Sequence, residues 1–264
     1  MVLNITPDSF GDAVRFVRDG HVDVESALDA ALRMEEAGAD VIDVGGESTR
    51  PGAEPATAAE ESARVVPVIR ALAGRVRIPL SVDTYKAEVA LAALDAGAAI
   101  VNDISGLKYD PELASVAARG RAALVLMHTR GRSNAMYAEA SYADLIGEVT
   151  TELLQSMSRA IDAGISRDQV LVDPGIGFAK RPAHSYGVLA GLGELAAAVD
   201  RPVVVGPSRK SFLRGATEDR QATERDWGTA AAVTAAVLAG AHIVRVHAVE
   251  EMVQVVRVAE EIRK

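Results

Sequence analysis

Val203-Val204-Val205-Gly206-Pro207-Ser208-Arg209-Lys210-Ser211-Phe212 sets two cations, two hydroxyls and an aromatic ring at the point where an apolar run stops. Three β-branched residues in succession read as a buried strand, and Gly206-Pro207 ends it. In an α/β protein, ligands bind beyond the carboxyl ends of such strands. A solvated basic turn is the plain alternative. Serines on both sides of Arg209-Lys210, directly after an apolar strand, favour a site for an anion or a heteroaromatic ring.

Outward from this stretch, the same handover from strand to loop to helix repeats along the chain. Strands are expected at Val2 to Ile5, Asp40 to Val44, Leu80 to Val82, Ala98 to Asn102, Ala123 to Met127, Val170 to Val172, Val203 to Val205 and Ile243 to Val246. Helices are expected from about Asp23 to Ala37, after a Thr57/Glu60 capping box, near Tyr85 to Ala96, and after Asp110-Pro111. Others run from Ser141, from about Ala183 to Val199, and from near Arg225 to Ala239. A closing helix carries Val249, Met252, Val253, Val256 and Ala259. Ala37-Gly38-Ala39, Ala96-Gly97-Ala98, Ala163-Gly164-Ile165 and Ala239-Gly240-Ala241 each end a helix just before a strand, where glycine suits the left-handed closing position. Eight strands alternating with eight helices predict an α/β fold of the TIM (β/α)8 barrel kind. No linker or shift in composition interrupts residues 1–264, so a single domain is expected.

The 264 residues are 49% hydrophobic and 25% charged, enough for a large core and typical of one α/β barrel. Cysteine is absent, which excludes disulfides, zinc-thiolate sites and thiol catalysis. Net charge is −9 and no basic stripe is visible, which argues against a nucleic-acid partner. An anionic substrate must then be held by local Arg, Lys and helix N-termini. No signal-peptide pattern and no long apolar run point to a membrane, so a cytoplasmic location is expected. The first strand starts directly after Met1, from which we expect a missing N-terminal extension.

Asn4, Asp43, Asp83, Asn102, His128, Asp173, Lys210 and Arg245 all lie within or just past strand ends. One or two could be structural caps. A polar group at nearly every strand end is costly unless the groups serve one another or a ligand. In a barrel they converge on the rim where the βα loops build active sites.

Several blocks resemble signatures of the dihydropteroate synthases. They are Leu3-Asn4-Ile5-Thr6-Pro7-Asp8-Ser9-Phe10, Asp43-Val44-Gly45-Gly46-Glu47-Ser48-Thr49-Arg50-Pro51-Gly52, Ser81-Val82-Asp83-Thr84 and Val101-Asn102-Asp103-Ile104-Ser105-Gly106. Further blocks are Leu126-Met127-His128, Asp173-Pro174-Gly175-Ile176-Gly177-Phe178, Gly206 to Phe212 and Arg245-Val246-His247. They occur in order from first strand to last and span nearly the whole chain.

The resemblance implies a TIM barrel that joins 6-hydroxymethyl-7,8-dihydropterin diphosphate to 4-aminobenzoate, giving 7,8-dihydropteroate and diphosphate in folate biosynthesis. It implies pterin binding by Asp83, Asn102, Ile104, Met127, Asp173, Phe178, Gly206 and Lys210. Independently, a reduced pterin needs carboxylate acceptors with amide and cationic donors, which Asp83, Asp173, Asn102 and Lys210 supply. Met127, Ile104 and Phe178 can wall a flat ring, though Met127 and Ile104 read equally as barrel core. The resemblance also implies Asn4, Thr49, Arg50, Arg245 and His247 for the diphosphate, with Mg²⁺ as cofactor held through Asn4. Aminobenzoate falls to Phe10, Thr49, Arg50, Pro51, Phe178, Lys210 and Ser211. Arg50, Lys210 and Arg245 are the expected catalytic residues, stabilising charge on a diphosphate that leaves before the amine attacks. The family implies a homodimer.

Two departures stand out. Gly11-Asp12-Ala13-Val14 replaces the family's usual Ser-Asp-Gly-Gly, and Ala248 follows His247 where the family usually has Asp. The loops after the first two strands, rich in Gly and Pro, are expected to be mobile until both substrates bind. A pterin-dependent methyltransferase domain and a non-catalytic pterin-binding paralogue are the alternatives. Ser208-Arg209-Lys210-Ser211 and Thr49-Arg50-Pro51 favour the synthase over the first. Retention of Asn4, Arg50 and Lys210 argues against the second.

Overall fold

Parallel strands of two to five residues line the barrel: Val2–Asn4, Ile42–Gly45, Leu80–Asp83, Ile100–Asp103, Ala123–Met127, Val170–Asp173, Val204–Val205 and Ile243–Val244. The computed structural model describes residues 1–7, 16–18, 20–49, 52–132, 137–138 and 140–264. The first six strands form one continuous sheet in chain order, and the last two pair with each other. A bridge between Val172 and Val203 joins the two sheets on one side. On the other, the Val2 N–H donates to the Val246 carbonyl at 3.2 Å, closing the circle. This is the TIM barrel that the alternation of elements predicts.

Register decides what reaches the rim. Asn4 pairs with Gly45, Gly45 with Asp83, and Asp83 with Asn102, so these four lie along one row at the carboxyl ends. Met127 pairs with Asp173 further round.

Leu3, Ile42, Val44, Val82, Leu124, Leu126 and Val172 from the strands pack with Val65, Ile69, Leu72 and Leu153 from the helices, all nearly or fully buried in one cluster. Each such side chain contributes about 1.5–3 kcal/mol by leaving water. Helices at Val24–Glu36 and Ala58–Leu72 start where the sequence signals them. Asp23 accepts from the Ser26 N–H, and Thr57 with Glu60 forms the capping box. The glycines between helix and strand carry the expected positive φ: 98° at Gly38, 118° at Gly97, 101° at Gly164 and 98° at Gly240.

Four details differ from the sequence reading. The expected Ala183 to Val199 helix is two helices, Pro182–Ala190 and Leu192–Val199. They meet at Gly191, where a Cβ would come within 2.6 Å of Ile146, so the crossing helix leaves room for no side chain there. The long helix starts at Leu145, not Ser141, because Asp144 takes the cap and accepts from the Gly147 N–H. Asp110 does not cap the helix that follows it. It accepts from the Ala87 and Glu112 N–H groups, and the helix runs from Leu113 to Arg119. A small antiparallel hairpin, Val17–Arg18 with His21–Val22, follows the first loop and was not foreseen. Among the described residues, no helix is long and apolar enough to cross a membrane.

Candidate active site

Arg245, just past the last strand, reaches across the rim. Its Nε donates to Asp43 Oδ2 at 2.6 Å and its Nη2 to Asp83 Oδ2 at 2.6 Å. Asn102 Nδ2 donates to the same Asp43 oxygen at 3.1 Å. Asp43 Oδ1 is buried, with no hydrogen-bond partner among the described residues. Strands two, three, four and eight are therefore tied together by side chains at their carboxyl ends. Burial pushes the Asp83 carboxyl upward, with the Arg245 guanidinium opposing and the Asp43 charge assisting. Despite burial, Asp43 and Asp83 hold Arg245 firmly charged.

Lys210 faces this cluster from the loop after the seventh strand. Its Nζ donates to the Ile176 carbonyl at 2.6 Å and lies 4.6 Å from the centre of the Phe178 ring. A Cβ built on Gly206 would stand 3.7 Å from Lys210 Nζ and 3.7 Å from Arg245 Cβ, so this glycine leaves the gap between the two cations open. Burial lowers the Lys210 ammonium to about 8, against the pull of Asp173. Asp173 is buried, and its Oδ1 accepts from the Gly175 N–H at 2.7 Å. Burial pushes that carboxyl up, with Lys210 opposing. Ile104 and Met127 are buried apolar neighbours of this rim.

Asn4 lies beside the acids. A Cβ on Gly45 would come within 3.8 Å of Asn4 Oδ1 and 3.7 Å of Asp83 Oδ2. On the adjoining last loop, His247 Nδ1 is 2.8 Å from Ser208 Oγ. Burial, then Arg245 and Arg209, depress the His247 imidazole to about 3, so it is neutral. Thr49 is half-buried in the second loop. Ser211 opens a 3₁₀ turn, Ser211–Thr217, and lines a cavity of about 470 Å³ with Lys180, Arg181, Arg214 and Phe212. Phe10, Arg50 and Pro51 lie outside the described residues, as do Gly11 to Val14 and much of the loops expected to be mobile.

Sequence reasoning gave no role to several groups that hold this rim. Asp43 stood only among the strand-end acids, yet it anchors Arg245 and Asn102. Lys180 is 1% exposed, with Nζ 2.7 Å from His128 Nδ1 and 3.2 Å from the Phe178 carbonyl. Burial brings Lys180 down to about 7 and His128 to about 4, Lys180 adding to the second shift. Glu152, despite burial, is held well below the ordinary carboxylate range by His128, Arg130 and Lys108. Beneath the second loop, Glu47 Oε1 accepts from the Tyr85 hydroxyl at 2.8 Å. Its Oε2 accepts from the Ala56 N–H at 2.9 Å and from Lys86 Nζ at 2.5 Å, and Lys86 also pairs with the buried Glu61.

The sequence profile of the pterin binding enzyme family matches residues 1–247. The chain is 44% identical over 259 residues to a dihydropteroate synthase of Synechocystis sp., covering 98% of this chain and 88% of that protein. It is 41% identical to the Bacillus subtilis dihydropteroate synthase over 259 residues, 98% of this chain and 86% of that one. The crystal structure of the Yersinia pestis dihydropteroate synthase with a sulfonamide drug superposes with a TM-score of 0.92 at 40% identity, over 99% of this chain and 92% of that one. The Xanthomonas albilineans dihydropteroate synthase in complex with 7,8-dihydropteroate gives 0.86 at 36% identity, over 99% and 92%.

Proposed function

The chain belongs to the pterin-binding enzyme family, and we infer that it acts as a dihydropteroate synthase, a transferase that moves a pterinylmethyl group from a diphosphate ester to 4-aminobenzoate. Relatives solved with 4-aminobenzoate and with 7,8-dihydropteroate support this reading. The observation that carries it is the meeting of Asp43, Asp83, Asn102 and Arg245 on one rim, facing Asp173 and Lys210.

The bicyclic ring takes hydrogen bonds from Lys210 and Asn102 and donates to the Asp83 and Asp173 carboxylates, walled by Ile104, Met127 and Phe178. Gly206 leaves room for it. Arg245, Arg50, Thr49, Asn4 and His247 hold the diphosphate, whose charge grows as the methylene C–O bond breaks. Fixed cations placed where charge develops lower that barrier. The aryl amine, lying among Phe10, Thr49, Arg50, Pro51, Phe178, Lys210 and Ser211, then attacks the methylene carbon, and the proton it sheds passes to water or to the released diphosphate. No side-chain nucleophile is needed. Magnesium fits as a metal carried by the substrate: it needs few protein ligands and completes its shell from phosphate oxygens and water. The neutral Asn4 amide oxygen beside Asp83 suits that demand. When bound, the ion neutralises charge on the leaving diphosphate.

The whole chain works as one barrel domain. Exposed Leu238, Val258 and Ile262 on the last two helices support a homodimer.

The test is diphosphate release from the dihydropterin diphosphate with and without 4-aminobenzoate. Amine-dependent release with stoichiometric dihydropteroate is expected. Tight pterin binding with no release would make this a binding protein, and methyl transfer from a methylated folate would make it a methyltransferase.

A further inference from the structure

Ser208 is nearly buried at the turn after the seventh strand, and its hydroxyl has two partners on one residue. The His247 backbone N–H donates to Ser208 Oγ at 3.3 Å, and the same oxygen lies 2.8 Å from His247 Nδ1. A buried hydroxyl carries one proton and needs an acceptor for it. The oxygen already accepts from the backbone, and the imidazole nitrogen is the acceptor within reach. We propose that Ser208 is a positioning residue that donates to His247 Nδ1 and so fixes the imidazole with its proton on Nε2, presenting a neutral N–H donor to the diphosphate.

The surroundings agree. His247 sits among Arg245, Arg209 and Lys210, which with burial keep the ring uncharged, so an imidazolium there would be a further cation in an already cationic pocket. A neutral ring helps an anion only if its outward nitrogen carries the hydrogen. The opposite tautomer would point a lone pair at phosphate oxygens, turning attraction into repulsion. A hydroxyl behind the ring decides between the two states, as an outer hydrogen-bond partner decides the tautomer of a metal-bound histidine. The bond joins residues 39 apart in sequence, linking the seventh and eighth loops across the seam of the shortest barrel strands.

The assignment rests on the diphosphate role given to His247 above, and the experiment separates the two. Nitrogen-15 NMR of the imidazole, assigned by loss of its signals in His247→Gln, reads the tautomer of the resting enzyme directly. A single Nε2–H form is expected in the native chain. In Ser208→Ala both tautomers should appear, and inorganic diphosphate with magnesium should inhibit about tenfold more weakly, the scale of one lost hydrogen bond. Ser208→Thr, which keeps the hydroxyl, should restore both readouts. An Nδ1–H form in the native chain, or a pure Nε2–H form surviving in Ser208→Ala, overturns the tautomer lock. A changed tautomer with unchanged diphosphate inhibition overturns the diphosphate role of His247. Amine-dependent dihydropteroate formation, measured alongside, decides separately whether the synthase reading stands.

Discussion

Arg245 Nε and Asp43 Oδ2 are 2.6 Å apart although 202 positions separate them in the chain. The guanidinium is a planar fork, and it uses that shape to grip Asp43 and Asp83 together. Lysine has no second arm. We predict that Arg245→Lys leaves one carboxylate poorly paired and lowers kcat/KM on the order of 10²-fold, the cost of a misplaced charge-stabilising donor. Steady-state kinetics with varied dihydropterin diphosphate measures it, and near-native turnover would remove the fork from the mechanism.

Lys210 supplies a pH limit. Its ammonium is lowered to about 8, so the charge is present below that pH and lost above it. kcat/KM should therefore fall as pH rises through about 8. Lys210→Arg, with a guanidinium that stays protonated, should be slower but lack the alkaline fall. A native profile flat to pH 10 contradicts this.

Lys180 gives the corresponding effect on stability. Its folded value, about 7, lies below the ordinary lysine value of 10.5, so between those limits the unfolded chain binds more protons than the native one. Stability then rises with pH across that window, by up to about 1.4 kcal/mol per pH unit for one group. Lys180→Met lacks the effect. Urea unfolding at pH 7 and pH 9 should show the native chain gaining stability relative to Lys180→Met, and parallel changes would contradict this.

Glu47 staples the second loop by gripping Ala56 at its far end and Tyr85 beneath it. Glu47→Ala should raise KM for dihydropterin diphosphate roughly tenfold, because the loop that carries Thr49 loses its staple. Binding of a pterin lacking the diphosphate should hardly change. Equal losses for both ligands would mean general destabilisation instead.

Gly175 cannot be replaced cheaply. It has a φ of 69°, and a Cβ would lie 1.9 Å from the His128 carbonyl oxygen. Gly175→Ala should destabilise by about 3 kcal/mol or more through strain and forced backbone movement. It should also displace Asp173, which accepts from the Gly175 N–H. Thermal unfolding and pterin binding check both effects.

What could be read beforehand and what could not divide along a physical line. Thr57 with Glu60, and the positive-φ glycines before the strands, are local devices whose partners lie within four residues. They fix the alternation of elements and hence the barrel. The strand-end polar set was legible too, because charge at the end of an apolar run needs explaining. Pairings across the barrel were not. Lys180 meets His128 over 52 residues, and nothing near Lys180 in sequence announces a buried amine. Likewise the need for glycine at 191 comes from Ile146, which belongs to another element. The choice of Asp144 over Ser141 as a cap was a contest between two good cap residues three positions apart, which propensity alone does not settle.

The seam between the first and last strands fixes an order of events. While the chain is being synthesised, Asp43 and Asp83 emerge well before Arg245, their counter-ion. A ribosome-bound chain that stops short of the eighth strand holds two converging acids without the guanidinium that grips both, and its sheet still has open edges. The mouth of this barrel therefore closes only once its eighth strand has been made, and its sheet edges stay unpaired until then.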